Sequence, residues 1–554
     1  MELKRDVSGW NVRWDDQRAR QLKDDGAWAG KTIADYARIM LRETPDKVLV
    51  VDRESEHTVA SLWRRAEQLA KALVVRGYRP GDTISFQLPN WFETIEINLA
   101  AAMAGLVVHP LVPIYRDAEV QFMLQDCRSK LIFVPRSFRK FDYVDMMQRL
   151  QPRIDQAVEV VVVRDEAGGD LTYESLLAEG AGIASDAQLP GADPDAVKMI
   201  MYTSGTTGRP KGVLHSHNSL QAENRCRLTH LKLMPDDVMF NPSPVTHVTG
   251  ALYSLCLPFT VGVKTVMLDI WDPVVAFEMM QRRKVTGIVA ATIFLQGLVE
   301  AAKDNGKTLA DLRFFLCGGA QVPPDLIREA ARVFPNCVPS RIYGSTEVPC
   351  ITAGVNSRDH LDLGADTDGQ VWLADARIVD PVNGDPVAPG DEGEIVASAA
   401  QMFLGYAHSD DNTDAFDRDG YFKMGDLGRL IGDNFITVTG RKKDLIIRAG
   451  ENISPKEVED ILFNHPDISD VSVVAMPDRR TGEAACAFVI PKPGRTVTLT
   501  SIGSFLIDYG LAKQKIPERL EIVDEFPRTS VGKVQKHILR DKARALVENE
   551  EKST

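Results

Sequence analysis

Between Thr58 and Tyr78 apolar residues recur as Leu62, Ala66, Leu69, Ala70, Leu73 and Val74, the three-and-four spacing of a helix buried along one side. Gly81-Asp82 turns the chain into an apolar run, Thr83 to Leu88, that predicts a strand; Pro89-Asn90 ends it, and Phe92 to Ala104 predicts another helix. Further strands are predicted at Leu131 to Val134, Val158 to Val163, Lys264 to Leu268, Thr286 to Ala290 and Arg313 to Cys317, with helical spacing between them. Strand and helix in alternation point to α/β layers. Gly180 to Pro194, rich in Gly, Ala, Asp and Pro, reads as a linking loop. The pattern changes after Gly440. The charged break Arg441-Lys442-Lys443-Asp444 is followed by a helix (Pro455 to Asn464), strands (Val471 to Ala475 and Ala484 to Ile490), a helix (Ser501 to Tyr509) and a strand (Leu520 to Val523), an α+β unit of ordinary domain size. With 554 residues, more than one core is expected. The expectation is a large multi-layer α/β N-terminal domain, residues 1–440, and a small α+β C-terminal domain, residues 441–554.

One stretch carries most of the candidate chemistry. The apolar run Val197 to Met201 leads into Tyr202-Thr203-Ser204-Gly205-Thr206-Thr207-Gly208-Arg209-Pro210-Lys211-Gly212, after which Val213 to His217 runs into a helical pattern. Its glycines permit tight, left-handed backbone and close ligand approach, its hydroxyls are donors, and Arg209 and Lys211 are cations, a combination suited to a polyphosphate. The Gly-Lys-Ser/Thr ending of the common nucleotide loop is absent. Asp and Glu number 78 against 65 Lys and Arg, a net charge of -13 that argues against nucleic acid and makes any phosphate site a local positive pocket. No secretory signal is read at Met1-Glu2-Leu3-Lys4-Arg5-Asp6, and the apolar stretch Leu99 to Val108 falls short of the roughly 20 residues of a membrane span. A cytoplasmic protein without integral membrane association is expected. Seven scattered cysteines without a Cys-x-x-Cys pair indicate neither zinc nor disulfides, and His215-x-His217 reads as surface decoration after the loop.

The eleven-residue stretch resembles the phosphate-binding loop of the adenylate-forming enzymes, the superfamily of acyl-CoA synthetases, adenylation domains and luciferases. Later segments resemble its other motifs in order: Leu316-Cys317-Gly318-Gly319-Ala320, Arg341 to Glu347, Tyr421 to Leu427, Gly440 to Ile446, and Pro527 to Lys533. The resemblance implies ATP, Mg²⁺ and coenzyme A. It places Thr203, Ser204, Gly205, Thr206, Thr207, Gly208 and Lys211 on the phosphates, and Gly318, Gly319 and Ala320 along the adenine. Tyr343, whose flat face suits a purine, Gly344 and Ser345 would continue the nucleotide site, with Asp426 and Arg441 on the ribose. Thr346, Glu347, Lys533 and His247 would be catalytic, Glu347 and Thr203 would hold the metal, Lys443 would be the hinge of a mobile C-terminal domain, and Gly450 would line the CoA channel. Met424 stands where the family usually has Thr.

The same resemblance places the acid. Val245-Thr246-His247-Val248-Thr249-Gly250 lacks the aspartate with which peptide-synthetase domains hold an α-ammonium. Thr249, Gly250, Tyr253 and Ile293 are the expected acyl pocket, largely neutral, with small Gly250 and Gly318 suggesting room for a ring. Asp269 to Pro273 and Trp28 to Tyr36 resemble the subgroup of cyclohexanecarboxylate-CoA ligases. An alicyclic, medium-chain or steroid-derived acid is expected, converted to its CoA thioester through an acyl-adenylate. Transfer to a carrier protein and an aryl or long-chain acid stay open as alternatives, as does a homodimer. No protein nucleophile is needed, so Cys317 is expected to be packing.

Overall fold

The computed structural model describes residues 2–165, 171–184, 187–203, 209–372, 374–449, 451–529 and 532–553. Among them, parallel strands run in the order 159–163, 131–135, 83–86, 107–110 and 197–203, and Lys211–Ser216 closes that sheet antiparallel to Val197–Thr203. A second sheet, ordered 338–341, 314–317, 287–290, 238–241, 264–267 and 48–52, is parallel as well and ends on antiparallel Ser55–Thr58. These strands are short apolar runs because helices cover both faces. One core joins the two sheets: Val50 and Phe314 of the second and Ile84, Phe86 and Val108 of the first pack with Leu62 and Leu69 of Val59–Val75 and with Ile95 and Leu99 of Glu93–Ala104.

Glu93–Ala104 is buried on every side, the place for a helix that is apolar all round. Its two carboxylates are admitted because both are paired. Glu93 accepts from Arg164 at 2.7 Å, and Glu96 accepts from Arg65 at 2.8 Å and from the Tyr173 hydroxyl at 2.8 Å. Burial still pushes Glu96 up to about 8.

A third, antiparallel sheet of strands 374–379, 393–399, 422–431, 435–441, 370–371 and 352–353 follows the parallel layers. After it, Gly482–Pro491 pairs with Ile468–Asp478 and with Ile446–Arg448, and is joined on its other side by parallel Arg519–Ile522. Helices Pro455–Leu462 and Leu499–Asp508 contribute Val458, Leu462, Ile502 and Leu506 to one core of this small sheet; helix Lys536–Ser553 contributes Leu539 and Ala543 to another with Val474, Cys486 and Phe488. The fold is thus a large N-terminal α/β domain followed by a small C-terminal α+β domain.

Three local expectations are corrected. The segment after the phosphate loop is first a strand, Lys211–Ser216, and only then the helix His217–His230, so the loop joins two hydrogen-bonded strands. Gly180 lies in helix Tyr173–Ala181; a Cβ there would fall 1.8 Å from the Gln68 carbonyl oxygen, so the glycine serves close helix contact. His215 and His217 are 0% and 1% exposed, the opposite of surface decoration. The His215 ring bonds Ser219 Oγ at 3.0 Å and the Thr346 carbonyl at 2.7 Å, and burial lowers it to about 4.

Candidate active site

Strand Val197–Thr203 carries Tyr202 and Thr203 at its C-terminal end, where the Tyr202 hydroxyl donates to Asp126 at 2.6 Å. Ser204, Gly205, Thr206, Thr207 and Gly208 lie outside the described residues, as does Gly450. Where the described chain resumes, Arg209 and Lys211 both pair with Asp411, at 3.1 and 3.2 Å, and the Lys211 ammonium sits 4.9 Å above the Tyr406 ring. Thr203 Oγ1 is 3.5 Å from Glu347 Oε1, which also accepts from the Tyr406 hydroxyl at 2.9 Å. Asp411 and Tyr406 belong to no motif read from the sequence. They become visible only when the chain from 403 to 411 folds beside Arg209, Lys211 and Glu347.

The segment 343–350 turns back on itself: Ser345 N–H donates to the Val348 carbonyl at 3.1 Å, and a Cβ on Gly344 would lie 2.3 Å from the Cys350 nitrogen. Thr346 is held through its carbonyl by His215. The Tyr343 hydroxyl donates to Asp426 Oδ2 at 2.7 Å, and Arg441 Nε is 3.1 Å from Asp426 Oδ1, so the three residues expected around the nucleoside adjoin one another. Burial drives the Tyr343 hydroxyl well up, with Asp426 beside it adding to the shift. Gly319, exposed at a φ of +81°, has nothing within 4 Å of where a Cβ would be, and Ala320 is half-buried beside it. Gly318 is different: a Cβ there would fall 2.6 Å from the Ile342 carbonyl oxygen. Cys317 is fully buried, its thiol pushed up to about 12 by burial, a packing residue.

The C-terminal domain closes over this group. Ser530 and Val531 lie outside the described residues; on either side of them the Thr529 N–H donates to the Lys533 carbonyl at 2.8 Å, Gly532 has a φ of +82°, and Arg528 donates to the Gly532 carbonyl at 2.6 Å and pairs with Asp470. Gly532 faces Ile293, 3.5 Å from where its Cβ would be. Lys533 is lowered to about 7, first by burial and then by Arg441, with Asp426 acting in the opposite sense. His247 is lowered to about 4 by burial and then by the Lys533 charge, so the C-terminal ammonium lies within electrostatic reach of the N-terminal imidazole. Gln321 donates to Asp460 across the same junction. Lys443 lies in the single turn Lys442–Asp444, anchored where Arg540 donates to the Lys443 carbonyl at 3.3 Å and to Asp444 at 2.9 Å.

The acyl region departs from expectation in two respects. A Cβ on Gly250 would fall 1.9 Å from the Pro244 carbonyl oxygen, so the smallness of Gly250, like that of Gly318, is used by backbone packing and opens no room for a ring. Thr249 is half-buried in the turn that His247 caps, and Tyr253 is buried in an unforeseen π-helix, Ala251–Cys256. Such a wide turn frees carbonyls; Asn224 donates to that of Leu252 at 3.2 Å and Asn98 to that of Leu255 at 3.0 Å. The Tyr253 hydroxyl donates to Glu223 at 2.6 Å, and Glu223 pairs with Arg227 at 2.7 Å with both side chains fully buried. The wall expected to be neutral is backed by an ion pair.

The model of the AMP-binding enzyme family matches residues 38–407, and that of the AMP-binding enzyme C-terminal domain matches 457–533. The chain belongs to the AMP-binding enzyme family. Within this family of adenylate-forming enzymes it falls in the acyl-CoA synthetase branch and is an AMP-forming acid–thiol ligase. It is 36% identical over 535 residues to the medium-chain fatty-acid–CoA ligase of Escherichia coli (strain K12), covering 96% of this chain and 93% of that one. It is 29% identical over 552 residues to a Streptomyces salicylyl-CoA synthase / salicylate adenylyltransferase, covering 98% and 99%. Among solved structures it resembles ATP-bound MatB from Rhodopseudomonas palustris, with a TM-score of 0.81, 27% identity, and coverage of 92% of this chain and 99% of that one. The family membership and the ATP-bound neighbour support use of ATP. Among the described residues no helix is long and apolar enough to cross a membrane.

Proposed function

We propose that the protein joins a hydrophobic carboxylic acid of medium chain length or alicyclic form to coenzyme A, at the expense of ATP, through an acyl-adenylate. The observation that carries this reading is the meeting of the two domains here: Tyr343 and Arg441 bond Asp426 at 2.7 and 3.1 Å, and Gly532, next to Lys533, packs against Ile293, with the Lys533 charge felt at His247. The similarity to a medium-chain fatty-acid–CoA ligase favours the aliphatic acid over the aryl acids.

In the first step a carboxylate oxygen attacks the α-phosphorus of ATP and pyrophosphate leaves. Lys533 neutralises the charge that gathers between carboxylate and phosphate, while Thr346 and the 203–211 loop hold the phosphoryl oxygens. Neutral His247 packs beside the carboxylate without adding a competing charge. Asp426 exchanges its bonds to Tyr343 and Arg441 for the ribose hydroxyls, and Gly319 leaves space for the base. Glu347 and Thr203, whose side-chain oxygens lie 3.5 Å apart, would hold Mg²⁺, and the ion would supply charge neutralisation at the phosphates. In the second step the C-terminal domain turns about Lys443, Lys533 withdraws, and Gly450 lines the approach of the CoA thiol. Sulfur bonds to the acyl carbon as AMP departs with the former carboxylate oxygen.

ATP–pyrophosphate exchange over straight-chain, alicyclic and aryl acids, each followed by AMP release with and without CoA, tests this assignment. Exchange with medium-chain or alicyclic acids and CoA-dependent turnover are expected; exchange confined to aryl acids, or indifference to CoA, contradicts it.

The lowered Lys533 gives a pH signature. An open-state lysine titrates near 10.4, and in the closed arrangement near 7. Closing the empty site therefore releases a proton between those values, carries its full electrostatic cost below about 7, and becomes easier as pH rises above it. The triphosphate restores the charge, so ATP binding to the closed arrangement at pH 8 takes up on the order of one proton. Calorimetry in buffers of different ionisation enthalpy reads the uptake, and Lys533→Ala abolishes it.

A further inference from the structure

Away from the adenylation site, a cleft of about 410 Å³ opens between the N-terminal segment and the turn 417–420. The N-terminal wall precedes residue 38, where the family match begins. The segment is firmly docked: the Arg13 N–H donates to the Leu404 carbonyl at 2.8 Å, the Trp28 ring N–H donates to the Ala400 carbonyl at 2.8 Å, and Trp10 and Val12 enter a core with Val107, Leu214 and Leu404.

The lining is mainly polar. Arg13, Arg18 and Arg418 supply guanidinium groups, Gln17 and Gln21 supply amides, and Asp15, Asp417 and Asp419 supply carboxylates. Asp15 and Asp417 already hold backbone donors, and Asp419 lies 3.7 Å from the Arg377 guanidinium. Asp15 accepts the Arg18 N–H at 3.0 Å as the cap of helix Asp16–Asp24, and one oxygen of Asp417 takes the Asp419 and Tyr421 N–H groups at 2.9 and 2.8 Å. The cations are less well served. Arg18 donates to Ser398 Oγ at 2.7 Å and to the Ala399 carbonyl at 3.1 Å, both uncharged, and Arg13 lies flat on Phe416, 3.0 Å from the ring centre. Arg13 Nη1 is shielded from solvent and has no hydrogen-bond partner. Burial lowers Arg13 to about 10, and the Arg18 charge adds to the lowering, offset in part by Asp417. Two half-buried guanidinium groups that repel each other line the cleft and form a place that gains from an anion.

We propose that this cleft binds a small, polar metabolite through an oxyanion, phosphate or carboxylate, held between Arg13 and Arg18, with Gln17 and Gln21 contacting its hydroxyl groups. The volume is in the range of small-metabolite sites, and the mainly polar lining suits a polar ligand better than the hydrophobic acid of the proposed reaction. Occupation has a structural route to the adenylation site, since the turn 417–420 leads directly into strand Phe422–Ile431, which carries Asp426.

The test is titration calorimetry on the full chain, its adenylation site filled with a non-hydrolysable ATP analogue, with inorganic phosphate in one arm and citrate in the other. Saturable binding is expected in at least one arm, weakened about tenfold or more in Arg13→Gln, as expected when a charge-assisted contact is lost; the tighter arm identifies the oxyanion. A second measurement guards against a folding defect: the anion raises the thermal midpoint of the wild-type protein and leaves that of Arg13→Gln unchanged. Equal affinity in wild type and variant overturns the proposal, as does saturation only at concentrations on the order of tens of millimolar in both arms, an affinity of adventitious strength.

Discussion

Lys533→Ala is expected to slow acyl-adenylate formation by about 10²–10³-fold, the loss typical when one preorganised donor to a developing charge is removed. The same variant, given preformed acyl-adenylate and CoA, makes thioester at the wild-type rate, because Lys533 has left the site by then. Single-turnover measurement of each half-reaction separates the two. The residue earns this selectivity from its setting: its turn is tied down by Thr529 and Arg528, and its ammonium lies among Arg441, Asp426 and Lys443. Equal slowing of both steps would place Lys533 in general positioning instead.

Arg227→Ala is expected to be the most destabilising single change in the N-terminal domain, costing about 3–5 kcal/mol because it leaves the fully buried Glu223 carboxylate without its cation. The loss also frees the Thr352 carbonyl, which Arg227 holds at 3.0 Å and through which helix His217–His230 reaches the antiparallel sheet. Replacing both partners, as Glu223→Leu with Arg227→Met, should recover part of the loss because no lone charge remains. Denaturant unfolding of the three proteins checks the order. A single variant no less stable than the double one would mean that the pair is not the unit of stability here.

The parallel strands and the amphipathic helices were legible because each is a short apolar run or a clean helical stripe with turn residues at its ends. The antiparallel sheet was not, since glycines at 393, 428 and 440 and register shifts at 394–396 and 427–428 break the alternation that would reveal it. Helix His217–His230 misled for the opposite reason. It carries His217, Asn218, Ser219, Gln221, Glu223, Asn224 and Arg227, a polar sequence, yet all of these are buried and several bind other layers. The order of motifs singled out Tyr343, Asp426 and Arg441, which the fold makes neighbours. It could not show Asp411 restraining Lys211, Tyr406 holding Glu347, or Pro244 filling the space beside Gly250, because each contact joins segments remote in sequence or depends on backbone approach.

The central claim is that the acid passes through a mixed anhydride with AMP. It is tested most directly by supplying a medium-chain acid labelled with ¹⁸O in its carboxylate, together with ATP and CoA, and weighing the nucleotide product. Attack of the carboxylate on the α-phosphorus followed by thiolysis at the acyl carbon predicts AMP carrying one ¹⁸O atom. Unlabelled AMP, or label recovered in inorganic phosphate with ADP as the nucleotide, would contradict it.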